Sequence, residues 1–224
     1  MFPIKDANKA RTTPHVNHVL IMINVTIFLV MFLSDLGLIR SRFIEDIGER
    51  FAMPPYYIIR GQRLYTLLTS MFIHASWLHL FGNMLYLYIF GDNVEDAFRH
   101  VGYLMFYLTC GLIASLSYIV TTRTFLLGDY VVGASGAISG VLGAYLVLYP
   151  RARVLTLIFP VIVPLPAIIF LGFWFLMQWF YALFEAAGNV AWWAHIGGFI
   201  AGIILVLTFG RRKNKDADAY YSML

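Results

Sequence analysis

The sequence predicts an all-α membrane protein: six transmembrane helices in one bundle, with a long first loop partly embedded in the membrane. Three observations predict it. Hydrophobic residues make up 60% of the chain and charged residues only 12%, with a mean hydropathy of +0.75, where a soluble domain carries roughly a quarter charged residues. Six apolar stretches each come near the ~20 residues that cross a bilayer. The Lys and Arg residues divide unevenly between the two sides that six spans define.

The first span, 17–35, follows Lys5, Lys9 and Arg11 and has no Ala-x-Ala-like cleavage site after it, so it is read as a retained anchor rather than a removed signal. A long loop, 36–63, comes next. Ile44, Ile47 and Phe51 recur there at helical spacing while Glu45, Asp46, Glu49 and Arg50 take the other face, the pattern of a helix lying in the interface plane. A solvated loop with scattered apolar residues is the alternative. Span two is drawn over 64–91 and span three over 101–121, where the single cysteine, Cys110, sits mid-span and excludes disulfides and thiolate metal sites. Span four, 135–149, is short. Span five, 154–184, contains Pro160, Pro164 and Pro166 and is expected to be irregular at its start. Span six is 190–209. The domains are then an N-terminal tail, 1–16, the six-helix domain, 17–209, and a C-terminal tail, 210–224.

With six spans both termini share a side. Ten of the 16 Lys and Arg residues fall on that side, and five of the other six lie in the first loop. The excess predicts that both termini are cytoplasmic. The formal charge of +4 is spread over tails and loops, which is a topology signal and not a nucleic-acid surface. The partner the composition implies is the lipid bilayer.

Depth gathers the polar residues. Fifteen residues of span four rise about 22 Å against a hydrocarbon core of about 30 Å. Held at the cytoplasmic face by Arg151 and Arg153, that span sinks its first residue, Ser135, about 8–10 Å below the outer boundary. His195, about five residues into span six, and His79, counted back along span two from Asp92, reach a similar depth. Gly136, Gly140 and Gly143 line a stripe of span four, and Gly198 and Gly202 a stripe of span six. Small residues at this spacing let helices approach closely in lipid. His195, Gly198 and Gly202 share one face, so the same packing brings His195 towards Ser135.

A hydroxyl and an imidazole that meet can act as nucleophile and general base. Ser135 opens its helix between Gly133 and Gly136, where free N–H groups and the positive helix end favour a developing oxyanion. A serine satisfied by a backbone carbonyl is the plainer reading. No Asp or Glu lies deep in a span, Glu185 standing at the outer edge of span five, so a two-residue Ser–His device is inferred. His79 and Asn83, at i and i+4 on span two, are either oxyanion donors or a hydrogen-bonded pair that packs helices. A three-histidine metal site from His74, His79 and His195 lacks a His-Glu-x-x-His pattern, so no metal and no cofactor is expected.

Gly133-Ala134-Ser135-Gly136, Ala194-His195-Ile196-Gly197-Gly198 and the run from His74 to Asn83, in spans four, six and two, together resemble the rhomboid family of intramembrane serine proteases. The likeness runs from about residue 61 to 203 and includes the stretch 90–96. The resemblance implies a six-helix core with Ser135 as nucleophile and His195 as base. It implies His79, Asn83 and the Ser135 N–H as the oxyanion hole, and a first loop partly in the outer leaflet. Two features depart from it. Tyr65-Thr66 stands where many members carry Trp-Arg, and Ser139 stands where some place an aromatic under the base. The expected function is cleavage of transmembrane segments of single-span or polytopic membrane proteins near their outer ends. The alternative is a non-catalytic relative that binds transmembrane clients. The short N-terminal stretch fits a minimal prokaryotic member in the plasma membrane, with an organellar member as the alternative.

Overall fold

A computed structural model describes residues 1–8, 10–39, 46–122, 128–184 and 190–210. Ile44, Glu45, Glu185 and the stretch 211–224 lie outside them. The described chain is mostly helical. Helix α1 is His15–Asp35; α2 (Ile47–Phe51), α3 (Pro55–Ile58) and α4 (Thr66–Thr69) are short. Helices α5 (Trp77–Thr121), α6 (Ser135–Leu148), α7 (Ala167–Leu183) and α8 (Trp192–Phe209) follow. Three helices, α1, α5 and α8, are long and apolar enough to cross a membrane, and α6 and α7 are shorter apolar helices.

The second and third predicted spans differ from expectation. They run as one assigned helix, α5, interrupted only at Arg99, whose φ of 62° and ψ of 169° are not helical. The interruption is a reversal. Met71, just before α5, packs on Gly111, and a straight helix would hold residues 77 and 111 about 50 Å apart. The two limbs, 77–98 and 100–121, therefore fold back on each other. The first limb also starts later than the predicted residue 64, because Ser76 caps it by accepting from the His79 N–H at 3.2 Å.

An antiparallel sheet of three strands corrects the all-α expectation. Strand β1 (Phe2–Asp6) pairs with β2 (Arg153–Ile158), and β2 with β3 (Val161–Pro166), in the order β1-β2-β3. The register sets Phe2 against Leu157, Asp6 against Val154 and Ile158 against Val161. Residues drawn as the start of span five and part of the N-terminal tail thus form one sheet. Pro164 and Pro166 bar a helix, yet they sit on the edge strand β3, where a missing N–H opens no gap in the ladder. The β-branched residues around them suit a pleated surface.

At the centre is α6, buried from Gly136 to Tyr145. A methyl group at Gly198 would strike the Gly136 carbonyl, one at Gly202 the Gly140 carbonyl, and one at Gly143 the Phe199 backbone. Backbone therefore lies on backbone between α6 and α8. Gly136 and Gly140 also meet Ala114 and Cys110 of the second α5 limb. This packing seats the N-termini of α6 and α8 side by side.

Polar groups knit β1 and the start of α1 to the α5 turn. Buried Glu95 accepts the N–H groups of Val16 and Asn17 at 3.0 and 2.8 Å, satisfying free donors of the first α1 turn. Asp6 accepts from Tyr145 at 2.7 Å and Asn93 at 3.0 Å. Burial pushes the Asp6 carboxyl up from 3.8 to about 7; the Tyr145 hydrogen bond opposes the rise and Asp92 adds to it. A carboxyl raised on folding stabilises the protein fully below its unfolded value, and that contribution is lost as pH rises through the folded one. The melting temperature of the purified protein is expected to fall between pH 5 and pH 8. Asp6→Asn, which keeps an acceptor and cannot ionise, should flatten that fall; an unchanged pH slope in the variant would refute the assignment.

Candidate active site

Ser135 is the first residue of α6. Gly133, two residues earlier, has φ +119°, a conformation side chains rarely adopt. The turn is held by the Gly133 N–H donating to Ser70 O at 2.9 Å. A Cβ at Gly133 would lie 2.6 Å from His79 Nε2, so the glycine both turns the chain and admits the imidazole of His79.

His195 lies in the first turn of α8, buried, with Nε2 at 2.8 Å from Ser135 Oγ. The α6–α8 contact positions the pair, so a bulkier residue at Gly136 or Gly198 would separate hydroxyl from ring. On its other side, His195 Nδ1 is 2.8 Å from Gln178 Oε1 of α7. Gln178 Nε2 donates to Trp174 O at 3.1 Å. The Trp174 and Trp192 rings flank His195, each with its centroid 6.0 Å away.

His79 and Asn83, on the first α5 limb, line the same cavity of about 920 Å³ as Ser135, Trp174 and His195. Asn83 Nδ2 donates to His79 O at 3.0 Å, one of its two amide N–H groups. His74 is buried and its ring centroid lies 5.0 Å from that of His79. Among the described residues no three His, Cys, Asp or Glu side chains gather as metal ligands would. The arrangement can remove a proton from a half-buried hydroxyl and offer hydrogen-bond donors across a cavity from it.

Ser135, His195, His79 and Asn83 are thus brought to one cavity, while Gly140 and Gly202 lie deeper along the α6–α8 contact. Gln178 and Trp174 are not foreseen from sequence. The sequence signal for a third group is an uncharged amide inside the apolar fifth span, where no carboxylate lies deep. Ser139, lacking an aromatic ring, donates to Ser135 O at 2.7 Å, and Trp174 from α7 supplies the ring beside the base. The first loop is tied by Arg63 Nη2 to Arg50 O at 2.7 Å and by the Tyr65 hydroxyl to the same oxygen at 3.1 Å.

The model of the Rhomboid domain matches residues 61–212. The chain is 31% identical over 148 residues to Rhomboid protein 1, mitochondrial, of Saccharomyces cerevisiae, covering 62% of this chain and 40% of that protein. It is 31% identical over 193 residues to RHOMBOID-like protein 12, mitochondrial, of Arabidopsis thaliana, covering 74% and 56%. It is 34% identical over 150 residues to Rhomboid protease GluP of Bacillus subtilis, covering 66% and 26%. The matched stretches span about half or less of these relatives' length. Organellar relatives beside bacterial ones give the prokaryotic plasma-membrane expectation no support.

Proposed function

The chain belongs to the rhomboid family, and on that premise we propose that it is an intramembrane serine endopeptidase acting on transmembrane segments of other membrane proteins. The observation that carries this reading is the 2.8 Å contact between Ser135 Oγ and His195 Nε2 at the edge of a cavity. Ser135 Oγ attacks a peptide carbonyl while His195 Nε2 takes the hydroxyl proton and returns it to the leaving amine. Water then attacks the acyl-enzyme, again through His195. The tetrahedral oxyanion is stabilised by the Ser135 N–H, the free Asn83 amide N–H and His79. No metal or cofactor enters these steps.

The two limbs of α5 count as separate spans in this reading. With α1, α6, α7 and α8 they make six, and both termini lie on the cytoplasmic side. A spanning substrate helix keeps its carbonyls in its own hydrogen bonds, so it must unwind near its outer end before Ser135 reaches one. A fluorophosphonate probe tests the chemistry without knowledge of the natural substrate. It is expected to label the purified protein at Ser135, with His195→Ala abolishing labelling. An unlabelled wild-type protein that still binds transmembrane peptides would instead make it a non-catalytic client binder.

A further inference from the structure

The hydrogen bond between Gln178 and His195 has a direction, and the direction bears on which ring nitrogen holds the proton. A glutamine amide has an accepting oxygen and a donating nitrogen, and only its surroundings say which end points where. Here the surroundings are unambiguous. Gln178 Nε2 lies 3.1 Å from the carbonyl oxygen of Trp174, one helical turn earlier. Turning the amide over would set two oxygens against each other. The nitrogen must face Trp174, so Oε1 faces His195 Nδ1, at 2.8 Å. An acceptor at that distance requires Nδ1 to carry the hydrogen. A neutral imidazole has one N–H, so Nε2 is left bare towards Ser135 Oγ, 2.8 Å away.

We propose that Gln178 is a positioning residue for the Ser135–His195 pair, a neutral third member that holds His195 in the tautomer able to accept the serine proton. The inference rests on the reading of that pair as nucleophile and base. Its chemistry has a parallel in the Cys-His-Asn arrangement, where an amide stands in the place an aspartate takes elsewhere. A neutral amide suits this position physically. Gln178 is buried on an apolar helix, where an ionised carboxylate would be costly. The Trp174 carbonyl occupies the one face of the amide that would permit the wrong tautomer. Trp174 and Trp192 limit ring rotation from the sides, so hydrogen bond and packing fix both the protonation pattern and the plane of the base.

The test is Gln178→Met, which keeps length and loses the acceptor, compared with wild type as full-length protein in detergent. Ring ¹⁵N shifts of His195, assigned by comparison with His195→Ala, are expected to show a single Nδ1–H tautomer in wild type and a mixture in the variant. Cleavage of a transmembrane reporter should lose about 10- to 100-fold in kcat with KM changed less than about twofold, within the range of general-base effects. A variant that keeps both the single tautomer and wild-type kcat overturns the proposal. If Gln178→Met does not fold, Gln178→Glu is measured instead. It retains an oxygen facing Nδ1 and should keep the single tautomer, and a shift to the Nε2–H form would overturn the proposal. The tautomer is read without substrate. A wild-type protein that shows the Nδ1–H form yet takes no fluorophosphonate would sink the dyad reading and leave only the tautomer set by Gln178 standing.

Discussion

Ser135→Ala is expected to lower cleavage of a transmembrane reporter by about 10⁴-fold or more, and His195→Ala by a similar factor, because nucleophile and base act as one unit. The double variant should then lose little more than either single one. Additive losses would mean that the two side chains contribute separately, as in a binding site, and would contradict their assignment as a reacting pair. Ser135 Oγ and His195 Nε2 are 2.8 Å apart, so removing either leaves the other without its partner in the proton transfer. The backbone N–H of residue 135 survives the alanine substitution, and any residual rate reports what oxyanion stabilisation and positioning achieve alone. Both variants should fold. Ser135 sits in the first turn of α6, and the glycine contacts that hold α6 against α8 begin beside it and run away from the cavity. Unchanged melting temperatures are therefore the control. Reporter cleavage persisting at wild-type rate in both variants would remove the mechanism.

The approach of Ser135 to His195 is legible in the sequence because lipid makes depth and helix face interpretable. A fixed rise per residue sets depth, and glycine stripes mark the faces on which helices meet. The reversal at Arg99 is legible as two apolar runs around the charged stretch 92–99, although helical hydrogen bonding continues up to a single non-helical residue. The sheet is not legible by the same logic. Span reading counts apolar residues without asking whether they alternate, so the three prolines mark the start of span five, 154–184, as irregular but do not identify residues 154–166 as paired strands. Strand β1 was hidden for another reason. Its partner lies about 150 residues away, and only the paired β2 gives Phe2–Asp6 a place. Gln178 illustrates a third limit. An amide carries no formal charge, so it does not stand out in an apolar helix as a carboxylate would, yet its two ends can select one histidine tautomer.

Asn83→Ala is expected to lower kcat about 10²- to 10³-fold while leaving KM close to wild type, the signature of a donor that acts on charge present only in the transition state. Asn83 is buried on the cavity wall and is held by one N–H to the His79 carbonyl, one turn back on the same limb. Its second N–H is therefore presented by a fixed amide, and a preorganised donor costs little reorganisation when the oxyanion forms. Losing the Asn83–His79 hydrogen bond within a helix that keeps its backbone bonds should change stability by about 1 kcal/mol or less, too little to explain such a fall in rate. Gly133→Ala gives an independent approach to the same wall. Its Cβ would press on the His79 ring and force a side chain into φ +119°, displacing His79 without touching Asn83. If His79 and Asn83 stabilise one oxyanion, the two substitutions combined should cost less than the product of their separate effects. A loss confined to KM in Asn83→Ala, with kcat intact, would instead place Asn83 in substrate binding.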